Sequence, residues 1–218
     1  MILVARHGSR LGQTVADIQA LGLTSLPCPL METTPTPAVL DKTIKGVIIT
    51  SPAALPALPP TAKPIHCVGM RTAHEVQNLG FTVGVTGRGG AAALVEEIIQ
   101  TQAPCPLAHF AGDTANGTWY VKLNAAGFGV ERIQAYTTHY LEKLPPDVVW
   151  QLRRNAVSSI MLFSPAGAHL MVKLMEAENI KPMAFTALCI SPAVAKIWPG
   201  KTLVAERPLG DKMLTLLK

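Results

Sequence analysis

The chain has 218 residues, of which 49% are hydrophobic and 15% charged, with a mean hydropathy of +0.29 and a formal net charge of +5. That balance excludes a disordered chain and leaves room for one large domain or two of about 100 residues. The longest uncharged stretch, residues 155–172, carries Ser158, Ser159, Ser164, Pro165 and Gly167, which argues against a membrane span.

Apolar, β-branched runs fall at residues 2–5, 47–50, 65–69, 82–85, 107–111, 130–138, 159–163, 184–190 and 202–206. Helix-like segments lie at 71–79, 90–101, 117–126, 166–179 and 209–217. Continuous apolar strands alternating with helices predict an α/β protein whose parallel sheets are buried on both faces. The Pro- and Thr-rich stretch 27–37 and the segment 130–144, ending at Pro145-Pro146, predict two crossings between lobes. The first lobe is then discontinuous, residues 1–32 and 140–218, and the second is 36–133. Residues 33–35 and 134–139 are extended connectors, because Thr33, Thr34, Thr36, Ile133, Tyr136, Thr137 and Thr138 suit strands.

The four cysteines, Cys28, Cys67, Cys105 and Cys189, never form C-x-x-C pairs, and the six histidines lack metal-ligand spacing, so no metal site is expected. The excess of basic residues favours an anionic ligand. These residues come singly or in pairs with no interleaved aromatics, so a small polyanion fits better than nucleic acid. The start of the chain, Met1-Ile2-Leu3-Val4-Ala5-Arg6, shows neither a basic leader nor a cleavage site, which predicts a cytoplasmic protein.

An apolar strand runs into Ser-Pro-Ala three times, at 51–53, 164–166 and 191–193. Ser caps helices and Pro suits their first position, so each copy predicts a helix start at the carboxyl end of a strand, with free N–H groups suited to a carboxylate. Residues 47–58 also echo 160–171, and Cys67-Val68-Gly69 echoes Cys189-Ile190-Ser191, which predicts two similar lobes.

Taken in order, the series is a strand ending in Arg6, ITSP at 49–52, CVGMRTA at 67–73, GRGGAAALVEEI at 87–98, FAGD at 110–113, LNAAGFGVERIQAYTT at 123–138, MLFSPAG at 161–167 and LCISPAVA at 188–195. This series resembles the uroporphyrinogen-III synthase family over essentially the whole chain. The resemblance implies two α/β lobes joined by two connectors, with the active site in the interdomain cleft. It implies a cofactor-free enzyme of haem biosynthesis that closes linear hydroxymethylbilane to uroporphyrinogen III, losing water and inverting ring D. The expected enzyme is a monomer that receives its substrate from hydroxymethylbilane synthase and binds neither nucleic acid nor membrane.

In the family reaction, departure of the ring A hydroxyl leaves an electrophilic azafulvene. The substituted carbon of ring D attacks it to form a spiro intermediate, which fragments and recloses. Tyr136 matches the family's connector tyrosine and is the expected general acid, since a phenol keeps its proton at neutral pH. Tyr140 is its decoy on the same strand. The positions matching the substrate-binding strand-end loops are Arg6, Thr50, Ser51, Gly69, Met70, Thr72, Gly112, Ser164, Gly167, Ser191 and Ala193, with Arg71 as a nearby charge. Two departures stand out. Residues 112–117 lack the basic residue many relatives place there, and Ser191-Pro192-Ala193-Val194 replaces a Gly-Pro followed by hydroxyl residues. Arg88, Lys122 and Arg10 are the expected substitutes. Two alternatives remain open at this level. In one, Arg6-His7-Gly8 resembles the signature of histidine phosphatases, with His7 accepting the phosphoryl group. In the other, the chain is a non-catalytic two-lobed binder of a tetrapyrrole or other polyanion.

Overall fold

The computed structural model describes residues 1–114, 119–207 and 210–217, and the chain divides into two units, Met1–Glu32 with His139–Lys218 and Thr33–Thr138. Unit 1 opens with β1 (Ile2–His7), α1 (Gly8–Ala20) and β2 (Ser25–Pro35), which runs on into unit 2. Unit 2 contains β3 (Gly46–Ile49), a 3-10 turn (Pro52–Ala57), β4 (Ile65–Val68), α2 (Met70–Asn78), β5 (Val83–Gly87), α3 (Ala91–Thr101), β6 (Leu107–Gly112) and α4 (Tyr120–Ala125). Strand β7 (Val130–Tyr140) carries the chain back into unit 1. There follow α5 (Pro146–Arg153), β8 (Ser159–Leu162), α6 (Pro165–Ala177), β9 (Thr186–Cys189), α7 (Pro192–Ala195), β10 (Thr202–Val204) and α8 (Gly210–Leu214).

Unit 1 orders its strands β10-β9-β8-β1-β2 and unit 2 orders them β5-β4-β3-β6-β7, with parallel pairing throughout. The two orders coincide when β8 is matched with β3, β9 with β4, β10 with β5, β1 with β6 and β2 with β7. The sequence echo therefore has a structural counterpart, because 47–58 and 160–171 begin in the equivalent strands β3 and β8. Alternate residues face opposite sides of each sheet. In unit 1, Leu3, Ala5, Ile160 and Leu162 join α5 and α6 in one core, while Ile2, Val4 and Met161 join α1 and α8 in another. In unit 2, Val47, Ile49 and Phe110 pack with the 3-10 turn and α2, while Ile48 and Leu107 pack with α3 and α4. Both sheets are covered on both faces, the condition that makes their strands read as continuous apolar runs.

The structure adds two helices that the sequence reading did not foresee. Helix α1 buries Leu11, Thr14 and Ile18, a short i, i+3, i+7 stripe hidden behind an Arg-His-Gly-Ser-Arg run that reads as a loop. Helix α5 starts at Pro146, a residue that opens a helix as readily as it ends a strand, and has Asp147 in its first turn and Arg153 in its last. Strand β2 is a single strand of 11 residues where only isolated Thr positions suggested extension. The run 184–190 begins instead with a 3-10 turn, Pro182–Ala184, before β9. Residues 117, 118 and 209 of the expected helices lie outside the described residues, as do 115–117 of the 112–117 departure.

The three Ser-Pro-Ala corners differ. Ser164 caps the 13-residue helix α6, accepting from the Gly167 N–H at 3.0 Å. Ser51 accepts from the Ala53 N–H at 3.3 Å, but Pro56 inside the turn removes a backbone donor and the segment closes as a 3-10 turn. Ser191 makes no side-chain cap, and α7 stops after 4 residues.

Candidate active site

Open parallel sheets take ligands beyond the carboxyl ends of their strands, where the winding reverses direction. In unit 2 that point lies between β3 and β6, flanked by Thr50 and Ser51 on one side and Gly112 on the other. In unit 1 it lies between β8 and β1, flanked by Ser164 and Arg6. The structure thus brings Thr50, Ser51 and Gly112 together, and separately Arg6 and Ser164.

Tyr136 joins the first group through a strand irregularity. The register between β6 and β7 runs from Ala111↔Gln134 to Gly112↔Tyr136, so one extra residue of β7 is accommodated at this step. Such a bulge turns the following side chain to the other face. Tyr136 accordingly packs with Ile133, Ala135 and Phe110 on the α2 side of the sheet. Its ring lies over Gly112, where a Cβ would stand 2.6 Å from Cε2 and 2.9 Å from the phenol oxygen. Only glycine permits that approach. The segment after β6 is tied down around the ring. The Asp113 N–H donates to the Tyr136 carbonyl at 3.0 Å, the Thr138 N–H donates to Asp113 Oδ1 at 3.1 Å, and the Arg132 guanidinium donates to the Gly112 and Asp113 carbonyls. A basic residue therefore does serve the 112–114 segment, delivered by the neighbouring strand. Tyr140 lies further along β7 and is 47% exposed.

On the opposite face, His109 of β6 is buried, with Nε2 3.0 Å from Thr50 Oγ1 and Nδ1 in a short hydrogen bond with the Tyr120 hydroxyl. The Trp119 and Tyr120 rings stand edge-on to the imidazole, with centroids 4.9 and 5.4 Å away. Burial, and then the Arg132 charge, hold the His109 imidazole down at about 4, so it is neutral at pH 7. Burial pushes the Tyr120 phenol upward against the opposing pull of Arg132. Sequence reading missed His109, Trp119, Tyr120 and Arg132. The period-2 alternation Leu107, His109, Ala111 was the available signal, since it puts a polar ring into an otherwise apolar strand face.

The remaining expected contacts divide by environment. Gly69 (φ +81°) and Gly90 (φ +90°) open α2 and α3 without side-chain caps, leaving those helix starts bare. Met70 is 56% exposed beside Gly69, whereas Thr72 is turned inward at 4% exposure. Arg71 pairs with Glu75 at 3.0 Å, and Lys122 pairs with Glu96. Arg88 is exposed between β5 and α3. Gly167 is buried with its N–H already taken by Ser164, while Ala193 is exposed on α7. Arg6 donates to Thr14 Oγ1 at 2.5 Å and lies 3.9 Å above the Phe163 ring. Arg10 belongs to α1, and beside it His7 is held below the ordinary imidazole value by burial and then by Arg10. Cys28, Cys67 and Cys189 are buried, and burial pushes their thiols up, to about 12 for Cys28 and about 11 for the other two. Among the described residues, no helix is long and apolar enough to cross a membrane.

Two open parallel sheets of one topology, each with polar residues gathered where its winding reverses, define a two-unit α/β protein built to take ligands at strand ends. The family model for uroporphyrinogen-III synthase HemD matches residues 12–208, and the chain belongs to the uroporphyrinogen-III synthase family, enzymes of haem biosynthesis that cyclise hydroxymethylbilane. The uroporphyrinogen-III synthetase of Helicobacter pylori is similar in fold, with a TM-score of 0.67 at 18% identity over 99% of this chain and 97% of its own. A mutant uroporphyrinogen III synthase of Thermus thermophilus matches with a TM-score of 0.55 at 17% identity over 100% and 98% of the two chains. No curated sequence matches the chain. Arg6-His7-Gly8 forms the passage from β1 into α1, and membership of this family makes the chain an enzyme of the cyclisation reaction.

Proposed function

We propose that Tyr136 is the general acid of the cyclisation, donating its phenolic proton to the departing ring A hydroxyl so that it leaves as water. Ring D then attacks the azafulvene, and the spiro intermediate fragments and recloses. The pyrroles carry these bond changes themselves, so the protein's work is to curl the chain and assist the leaving group. The observation that carries the reading is the placement of the Tyr136 ring over Gly112 at the reversal point of unit 2, where a bulge sets its face, the Asp113 N–H holds its backbone carbonyl and Arg132 holds the Gly112 and Asp113 carbonyls beneath it. In the same reading Thr50, Ser51, Gly69, Met70, Gly112, Ser191 and Ala193 meet the substrate through backbone N–H or hydroxyl groups. Arg6, Arg71 and Arg88 supply positive charge. Thr72 and Gly167 act from behind, as packing and cap partners of the helix starts. Residues 33–35 and 134–139 serve as connectors between functional lobes. The enzyme works as a cytoplasmic monomer that takes hydroxymethylbilane from its synthase.

The test is turnover of freshly prepared hydroxymethylbilane, with uroporphyrinogen III separated from the spontaneously formed isomer I. Tyr136→Phe is expected to lower turnover about tenfold or more, and a Phe variant with the activity of the parent removes Tyr136 from the acid role.

A further inference from the structure

We propose that His109 is a positioning residue. Bridging the Tyr120 phenol and the Thr50 hydroxyl, it leaves the Thr50 hydrogen free to be donated to a carboxylate of the substrate. This rests on the reading that Thr50 meets the substrate, and it extends that reading by naming what orients Thr50.

The argument begins with hydrogen-bond capacity. A neutral imidazole has one donor and one acceptor, and both His109 nitrogens are engaged by hydroxyls, so the two hydroxyls must play opposite roles. A phenol is a far stronger acid than an aliphatic hydroxyl and remains the better donor even though burial pushes the Tyr120 phenol up, a shift that the charge of Arg132, whose residue pairs with His109 across β6 and β7, opposes. Tyr120 O–H therefore donates to Nδ1, which places the ring hydrogen on Nε2, and Nε2–H donates to Thr50 Oγ1. Thr50 has thus accepted and keeps its own hydrogen for another partner. The reverse arrangement would use the Thr50 hydrogen on Nε2 and present a lone pair to an acidic ligand. The edge-on Trp119 and Tyr120 rings and the full burial of His109 hold the imidazole in one orientation. Thr50 follows directly on β3, at the reversal point of the sheet.

The experiment is steady-state kinetics on fresh hydroxymethylbilane, with thermal melting as a fold control, for Thr50→Val, His109→Leu, His109→Gln, Tyr120→Phe and the Thr50→Val/His109→Leu double variant. Loss of one hydrogen bond to a charged group predicts a KM raised about tenfold in Thr50→Val and in His109→Leu, with kcat within about twofold. The double variant is expected to match Thr50→Val alone, because both changes remove one contact. His109→Gln, whose amide N–H takes the place of Nε2–H, is expected to recover about threefold or more of the KM lost in His109→Leu. Additive KM effects in the double variant, or a His109→Leu protein with a lowered melting temperature and the parental KM, overturn the proposal. Should His109→Leu fail to fold, Tyr120→Phe decides, with a KM raised a few-fold in support and the parental KM against. Thr50→Val with the parental KM instead removes the Thr50 contact itself, whereas a raised KM there beside a parental KM in Tyr120→Phe overturns only the positioning role.

Discussion

Units 1 and 2 share one strand order and differ in where they keep their polar groups. Among the described residues, unit 1 buries only Thr14 as a polar residue, and α6, one of the two 13-residue helices at its reversal point, is closed by its own Ser164. Unit 2 buries His66, Thr72 and His109 and opens α2 and α3 on uncapped glycines, while the extra residue of β7 opposite Gly112 has its equivalent in β2, where Arg6↔Pro29 is followed by His7↔Met31. One architecture can therefore bury different polar groups in its two copies: histidines and a threonine in unit 2, and in unit 1, besides Thr14, the Ser25 hydroxyl and the Gln151 side-chain oxygen, which have no hydrogen-bond partner among the described residues. The difference lies in side chains carried by the strands themselves, His66 on β4 and His109 on β6, since among the described residues β9 and β1, their equivalents, bury apolar side chains.

The largest expected effect tests the special geometry of unit 2. Gly112→Ala would force the Tyr136 ring off its seat, since the new Cβ meets ring atoms rather than backbone. We expect kcat to fall about a hundredfold, the cost of displacing a reacting group by about 1 Å, with the melting temperature nearly unchanged. A variant with the parental kcat would mean that the ring's position over Gly112 does not matter to the reaction.

Acid comes next. Burial holds His66 and His109 at about 4, below the ordinary imidazole value of 6.5. The unfolded chain therefore binds these protons first as pH falls. Their contribution is complete above pH 6.5 and is lost as pH drops through 6.5 toward 4, on the order of 3 kcal/mol per histidine. Hydrogen exchange at pH 7 and pH 4.5 should show β3, β4 and β6 of unit 2 losing protection while β1 and β8 of unit 1 keep theirs. Equal loss in both units would break the comparison.

The smallest effect separates two corners of identical sequence. Ser164→Ala removes a side-chain cap and is expected to cost about 1 kcal/mol, a melting shift of about 3 °C. Ser191→Ala removes no cap bond and is expected to cost under about 0.5 kcal/mol. Equal shifts in the two variants would show that the Ser164 to Gly167 hydrogen bond carries no net stability.

The order of strands and helices was largely legible because a parallel sheet covered on both faces needs unbroken apolar runs such as 47–50 and 159–163. Helices α1 and α5 were not, since one shows a short apolar stripe behind a polar run and the other starts at a proline that also reads as a stop. Tyr136 could be singled out by family resemblance, but an unbroken two-residue period would turn it away from the face of Ile133 and Ala135, with which it packs. The bulge at Gly112 re-aims the ring, and bulges leave no periodic mark. Arg132 and His109 escaped because their partners, Gly112, Asp113, Thr50 and Tyr120, sit on other elements.

Local chemistry by itself determined the class of this protein. Apolar runs, Ser-Pro strand exits and the repeated segment act within a few residues and are enough to read a two-unit α/β fold, while the synthase reading came from the resemblance of the ordered motifs to a known family. The tertiary structure alone decided which two of three alike Ser-Pro corners are capped, which strand delivers a cation to 112–114 and which hydroxyls a buried histidine joins. These are contacts between residues far apart in the chain, selected by packing, and no local pattern encodes them.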